Sequence, residues 1–123
     1  MNKVFLTGNL TKDPDLRYTP QGIAVTTLRI AVNSGSDKKE TLFINIICWD
    51  KLAELCNQYL EKGRKILVEG RLQHRIWQDQ EGKKREVFEI RADRIEFLDK
   101  SPFKSEEIDL GPLSEDSDEI EGG

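Results

Sequence analysis

Strict alternation of apolar and polar residues, repeated in several stretches and broken once by a helical period, constrains this chain more than any other feature. From Thr41 to Trp49, Leu42, Ile44, Ile46 and Cys48 share one parity, and Thr41, Phe43, Asn45, Ile47 and Trp49 share the other. In a strand these two sets point to opposite faces, so the first set closes a core. The second set carries two large aromatics beside Thr and Asn. That suits stacking against flat, unpaired bases better than a surface that meets only water.

The remaining elements follow from the same reading. Lys3 to Leu10 alternates as a first strand, and Gly8 inside it signals a bulge or a sharp bend of the kind that turns a barrel corner. Asp13-Pro14 and Thr19-Pro20-Gln21-Gly22 bracket a connection holding Leu16, Arg17 and Tyr18. Gly22 to Asn33 reads as a second strand, and Ser34 to Glu40 as a flexible, charged hairpin loop before the third, Thr41 to Trp49. Asp50 is a good N-cap for a short helix with Leu52, Leu55, Cys56 and Tyr59 at helical spacing. That helix is expected to exit at Gly63 through a left-handed residue.

From Arg64 the period returns to two. Ile66, Val68, Gly70, Leu72, His74 and Ile76 form an apolar set opposite Lys65, Leu67, Glu69, Arg71, Gln73, Arg75 and Trp77. Gln78 to Lys84 is the tip of a hairpin and Arg85 to Leu98 a fifth strand. Three strands, one helix and two strands give the order of a five-stranded OB-fold Greek-key barrel, all-β apart from that helix. Residues 1–100 form this single domain, and 101–123, acidic and without period, are expected to stay disordered.

Charge divides the same way. Residues 1–100 hold 18 Lys/Arg and 15 Asp/Glu, whereas 101–123 hold one Lys and eight acids. A basic body behind an acidic tail suits a polyanion partner for the body and a separate role for the tail. The two cysteines, Cys48 and Cys56, lack metal or redox spacing and read as core thiols. His74 sits on an apolar parity and reads as a core or interface residue. No nucleophile stands beside a base, no Gly-rich loop cradles phosphate and no ligand cluster appears, so neither enzyme activity nor a cofactor or metal is expected. With no apolar run long enough for a membrane span and no signal-peptide region, a cytoplasmic, nucleoid-associated placement is expected.

The site expected from the residues is an aromatic track with basic flanks: Phe43, Asn45, Trp49 and Trp77, with Arg71, Arg75, Lys65 and the Lys83-Lys84-Arg85 hairpin lining a path for phosphates. Guanidinium groups there can also stack on bases. Tyr18, beside Arg17, is equally a platform or a loop anchor.

Several motifs, in order, resemble the bacterial single-stranded DNA-binding protein family. They are Asn2-Lys3-Val4 with Gly8-Asn9-Leu10, Asp13-Pro14, Arg17-Tyr18-Thr19-Pro20-Gln21-Gly22, and Trp49-Asp50-Lys51-Leu52-Ala53-Glu54. Tyr59-Leu60-Glu61-Lys62-Gly63, Val68-Glu69-Gly70-Arg71-Leu72 and Trp77-Gln78-Asp79 continue the match to about residue 98. The resemblance implies a homotetramer that wraps single-stranded DNA in replication, recombination and repair. It implies stacking at Phe43, Trp49 and Trp77, and backbone contacts from Lys3, Arg17, Lys62 and Arg75. The family often has a further tryptophan in the loop that is Asn33 to Glu40 here, where this chain has no aromatic. It also implies docking of replication and repair proteins on an acidic tail, here Asp116, Asp118, Glu119 and Ile120. The family closes in Ile-Pro-Phe, where this sequence reads Glu121-Gly122-Gly123. The other readings weighed are an OB-fold accessory or RNA-binding module and, far behind, a hydrolase.

Overall fold

The computed structural model describes residues 1–33 and 40–98. In chain order these form β1 (Val4–Leu10), β2 (Asp15–Tyr18), β3 (Ala24–Asn33), β4 (Thr41–Trp49), α1 (Asp50–Tyr59), β5 (Lys65–Gln78) and β6 (Lys84–Phe97). The sheet runs β1-β5-β6-β4-β3-β2, and β1 also pairs with β3. Five strands therefore close into a ring, with β2 attached outside it on β3. Every pairing is antiparallel except β4 with β6. A closed five-stranded ring with its helix between the third and fourth ring strands is the OB-fold that the alternation predicts.

Leu28, Ile30, Ile46, Cys48, Ile66, Val68 and Ile90 are buried inside the ring, in one cluster with Ala53, Cys56 and Leu60 from the helix segment. Each large aliphatic contributes about 1.5–3 kcal/mol by leaving water. The buried Thr26 hydroxyl donates to the Ala53 carbonyl at 2.8 Å and ties α1 to β3. Cys48 and Cys56 are free thiols with sulfurs 4.0 Å apart. Their mutual hydrogen bond and then burial push the Cys56 thiol well above its usual range, so it stays protonated.

Some local expectations are corrected. The connection around Leu16 contains a strand, β2, whose Arg17 pairs with Val25 and Tyr18 with Ala24. Four residues are too few to show a period. Gly8 marks no bulge; the register irregularity falls at Glu69/Gly70 instead. Gly8 lies where β1 passes from β5 to β3, Asn9 being opposed by both Lys65 and Ala31. A Cβ on Gly8 would come within 2.6 Å of the Ala31 carbonyl oxygen.

Asp50 does not cap the helix. Trp49 holds the N-cap position without a side-chain bond, and Asp50 has φ +59°. β4 runs straight into α1, and the corner requires a left-handed residue, which Asp tolerates. The helix closes at Leu60, whose N–H donates to the Cys56 carbonyl at 3.0 Å. Gly63 is left-handed as expected, φ +94°, but in the following loop, where its N–H donates to the Leu10 carbonyl at 2.9 Å.

Parity is right along β4 and β5, but burial is not uniform. Leu42, Leu72 and Ile76 are exposed, and so is His74. β1 reaches β5 only as far as Gly70, and β6 pairs with β4 only at Ile46 and Ile47, so the outer halves of these strands lack a second neighbouring strand. His74 is thus no core residue. Its ring stacks on Phe88 with centroids 4.4 Å apart, and its Nε2 lies 2.7 Å from Glu86 Oε1.

Gly8→Ala is expected to destabilise the barrel by about 1–3 kcal/mol, since the obstructing atom is backbone that must shift. A lowered urea midpoint with an unchanged m-value checks this.

Candidate nucleic-acid interface

Directly opposed residues on paired strands share a face. Arg17 of β2 is opposed by Val25 of β3, and β3 sets Val25, Thr27, Arg29 and Ala31 against Trp49, Ile47, Asn45 and Phe43 of β4. Ile47 is opposed by Arg91 of β6. Arg91, Glu89, Val87 and Arg85 then oppose Arg71, Gln73, Arg75 and Trp77 of β5. One outward face therefore carries all three aromatics, together with Arg17, Asn45, Arg71 and Arg75. Phe43 and Trp77 are exposed, and Trp49 is half-buried.

Every one of these rings has a guanidinium over it. Arg29 lies 5.6 Å from the Phe43 ring centroid, Arg75 4.6 Å from that of Trp77, and Arg91 5.2 Å from that of Trp49. Such contacts are worth about 0.5–1 kcal/mol at exposed sites. Arg29 also donates to Asn45 Oδ1 at 3.1 Å. Glu89 is only 3% exposed on this same face. It accepts from Gln73 Nε2 at 2.9 Å and from Arg75 at 3.4 Å, so Arg75 is held in place by a buried carboxylate.

Arg91 and Glu89 are absent from the set expected from sequence, and Arg29 counts there only as one of the chain's basic residues, not as part of the track. Period two along β6 puts Glu89 and Arg91 on the parity of Arg85, but only the β4–β6 pairing reveals that Arg91 opposes Ile47 and so brings this row beside β4.

The other expected residues are placed less uniformly. Lys3 joins the row through an ion pair with Glu69 at 3.0 Å, and Glu69 precedes Arg71 on the outward parity of β5. Tyr18 is opposed by the buried Ala24, so it takes the opposite parity to Arg17, exposed at the strand end. Lys62 lies in the loop after α1, where its backbone N–H donates to Asp13 at 2.9 Å. Lys65 is opposed by Asn9 of β1, at the far end of β5 from Trp77. At the hairpin tip Lys83 and Lys84 are exposed, but it is Arg85 that faces Trp77.

Asp79 organises that tip. Its Oδ1 accepts the N–H groups of Glu81 and Lys83, each at 2.9 Å, and its Oδ2 accepts Arg85 Nε at 2.9 Å. The Lys83 bond foremost, opposed by desolvation and reinforced by Arg85 and Glu81, holds the carboxyl below the usual carboxylate range. Gly82, at φ +81°, completes the turn.

Among the described residues no group of His, Cys, Asp and Glu is arranged to hold a metal ion. Among them, too, no helix is long and apolar enough to cross a membrane. The expected tail residues Asp116, Asp118, Glu119 and Ile120 lie outside the described residues, as does the loop 34–39.

An OB barrel whose open face alternates aromatics with arginines defines a class of oligomer-binding domains. Comparison with known proteins narrows the class. The model of the single-strand binding protein family matches residues 1–98, and the chain belongs to that family. It is 48% identical over 103 residues to a single-stranded DNA-binding protein of Bacillus cereus, covering 80% of this chain and 61% of that protein. It is 47% identical over 110 residues to one from Caldanaerobacter subterraneus, covering 85% and 73%. The crystal structure of the wild-type single-stranded DNA binding protein from Thermus aquaticus superposes with a TM-score of 0.67 at 41% identity. That match covers 83% of this chain and 42% of the other. The chain spans about three-fifths of the length of the Bacillus relative.

The charged form of Asp79 is the one bonded in the folded chain. Its contribution to the hairpin tip is therefore full above the ordinary carboxylate range and is lost as pH falls through its lowered value. The protection factors of the Glu81 and Lys83 amides, that is exchange relative to its intrinsic rate at each pH, are expected to fall at acid pH, and Asp79→Ala to show the low protection at every pH.

Proposed function

We propose that this chain binds single-stranded DNA without turnover and with little sequence preference, holding bases on Phe43, Trp49 and Trp77 and phosphates on surrounding cations. The observation that carries the reading is the gathering of all three aromatics, from β4 and the β5–β6 hairpin, on one arginine-bearing face. Arg17, Arg71 and Arg75 share that face and Lys3 adjoins it. Lys62, Lys65, Lys83, Lys84 and Tyr18 would meet strand that continues beyond it.

The sequence holds two tryptophans, and both stand on this face, so intrinsic fluorescence reports on the site directly. Addition of oligo-dT is expected to quench it, and unchanged fluorescence at low salt would overturn the proposal. Trp49→Ala and Trp77→Ala are each expected to weaken binding by about 1–3 kcal/mol whatever the sequence, measured by titration at fixed salt.

Assembly as a homotetramer is part of the same proposal. Phe5, Leu72, Ile76 and Phe88 are exposed on β1 and the β5–β6 hairpin, more large apolar surface than a lone small domain usually leaves in water. Native mass measurement with and without a bound oligonucleotide is expected to give four chains, and a monomer at micromolar concentration would refute it. The acidic tail would recruit replication and repair proteins beside DNA in the cytoplasm. A pull-down that loses those proteins when residues 101–123 are deleted checks this.

A further inference from the structure

We propose that Glu89 is a positioning residue for single-strand binding: a carboxylate of the same charge sign as the ligand that nevertheless raises affinity, because it fixes the Arg75 guanidinium beside Trp77. The inference rests on the single-strand reading above and gives a role to a residue that the family resemblance does not supply.

An acid on a face suited to a polyanion costs twice, once by repelling phosphate and once by losing its own water. Among the described residues Glu89 is the only charged side chain that is buried, and it lies on the outward parity of β6 with Arg85 and Arg91, not on that of the core residue Ile90. What it holds accounts for its place. Glu89 directly opposes Gln73 and reaches diagonally to Arg75, which is itself opposed by Val87. Arg75 Nε lies 3.4 Å from one carboxylate oxygen and Nη2 3.4 Å from the other, while Gln73 Nε2 donates at 2.9 Å. Two points of attachment fix the plane of the guanidinium as well as its position. Its carbon stands 4.6 Å from the Trp77 centroid, and Trp77 is still 40% exposed, so the arginine does not close off the ring. Arg75 is exposed too, and a guanidinium with two nitrogens engaged keeps further N–H donors for a phosphate beside Trp77. Arg71, on the same face, is paired instead with the exposed Asp93, where solvent and salt screen the contact.

The sign of the effect tests this. Oligo-dT affinity is measured at fixed salt for the parent chain, Glu89→Gln, Arg75→Gln, the double variant and Arg75→Lys. Glu89→Gln keeps the volume of the side chain and loses its charge, and is expected to bind about three- to tenfold more weakly, a coupling usual within one hydrogen-bonded network. With Arg75→Gln already in place the same change releases no arginine and only removes an acid, so no further loss is expected and binding tightens. Arg75→Lys keeps the cation but not the fork, and is expected to lose most of the affinity that Arg75→Gln loses. A Glu89→Gln variant that binds as well as the parent or better would show an acid that merely repels. Weakening that persists with Arg75→Gln in place would show a merely structural role, and either result overturns the proposal. So does Arg75→Lys binding like the parent, which decides the matter even where the Glu89 variants fail to fold. If the parent itself binds no oligo-dT at low salt, the single-strand reading falls and this inference falls with it. A parent that binds, with variants of the wrong sign, removes the role of Glu89 alone.

Discussion

The contact on which everything else depends is the meeting of β1 with β3 at Asn9 and Leu10, made possible by the absence of a side chain at Gly8. It turns an open sheet into a ring. Only then does alternation acquire an inside and an outside along the whole circuit. Ile46 and Cys48 are enclosed, and Asn45, Ile47 and Trp49 are turned outward with their neighbours from β3 and β6. An open sheet of the same strands would bury the same parity only where something happened to cover it.

That dependence explains how much was legible in sequence. The five ring strands and the helix can be read because each declares its own period, and Phe43, Trp49 and Trp77 can be picked out because each breaks the rule for a solvent face. What sequence lacks is which segments are paired on both sides. Leu42, Leu72, His74 and Ile76 take the core parity yet stand outside the enclosed part of the ring. β2 is too short to show a period. Asp50 has the chemistry of a cap, but a strand feeding directly into a helix needs a corner there instead. Arg29, Arg91 and Glu89 are invisible as site residues for a similar reason, since their importance comes from partners on strands far apart in the chain.

Electrostatics on the face are less simple than a basic patch. Glu89 places a negative charge among the arginines of a surface suited to a polyanion, and its burial keeps it from meeting the ligand directly. By holding Arg75 and Gln73 it fixes their direction. A flexible cation contributes attraction, whereas a fixed one also sets where the attraction acts. The face thus combines one anchored arginine at Trp77 with less restrained ones at Phe43 and Trp49.

The parallel join between β4 and β6 rests on two opposed pairs, Ile46 with Ile90 and Ile47 with Arg91, whereas β5 and β6 are paired along most of their length. This short seam lies between the strand that carries Trp49 and the hairpin that carries Trp77. With so few opposed pairs, the two are joined there chiefly through the core, to which Ile46 and Ile90 both belong.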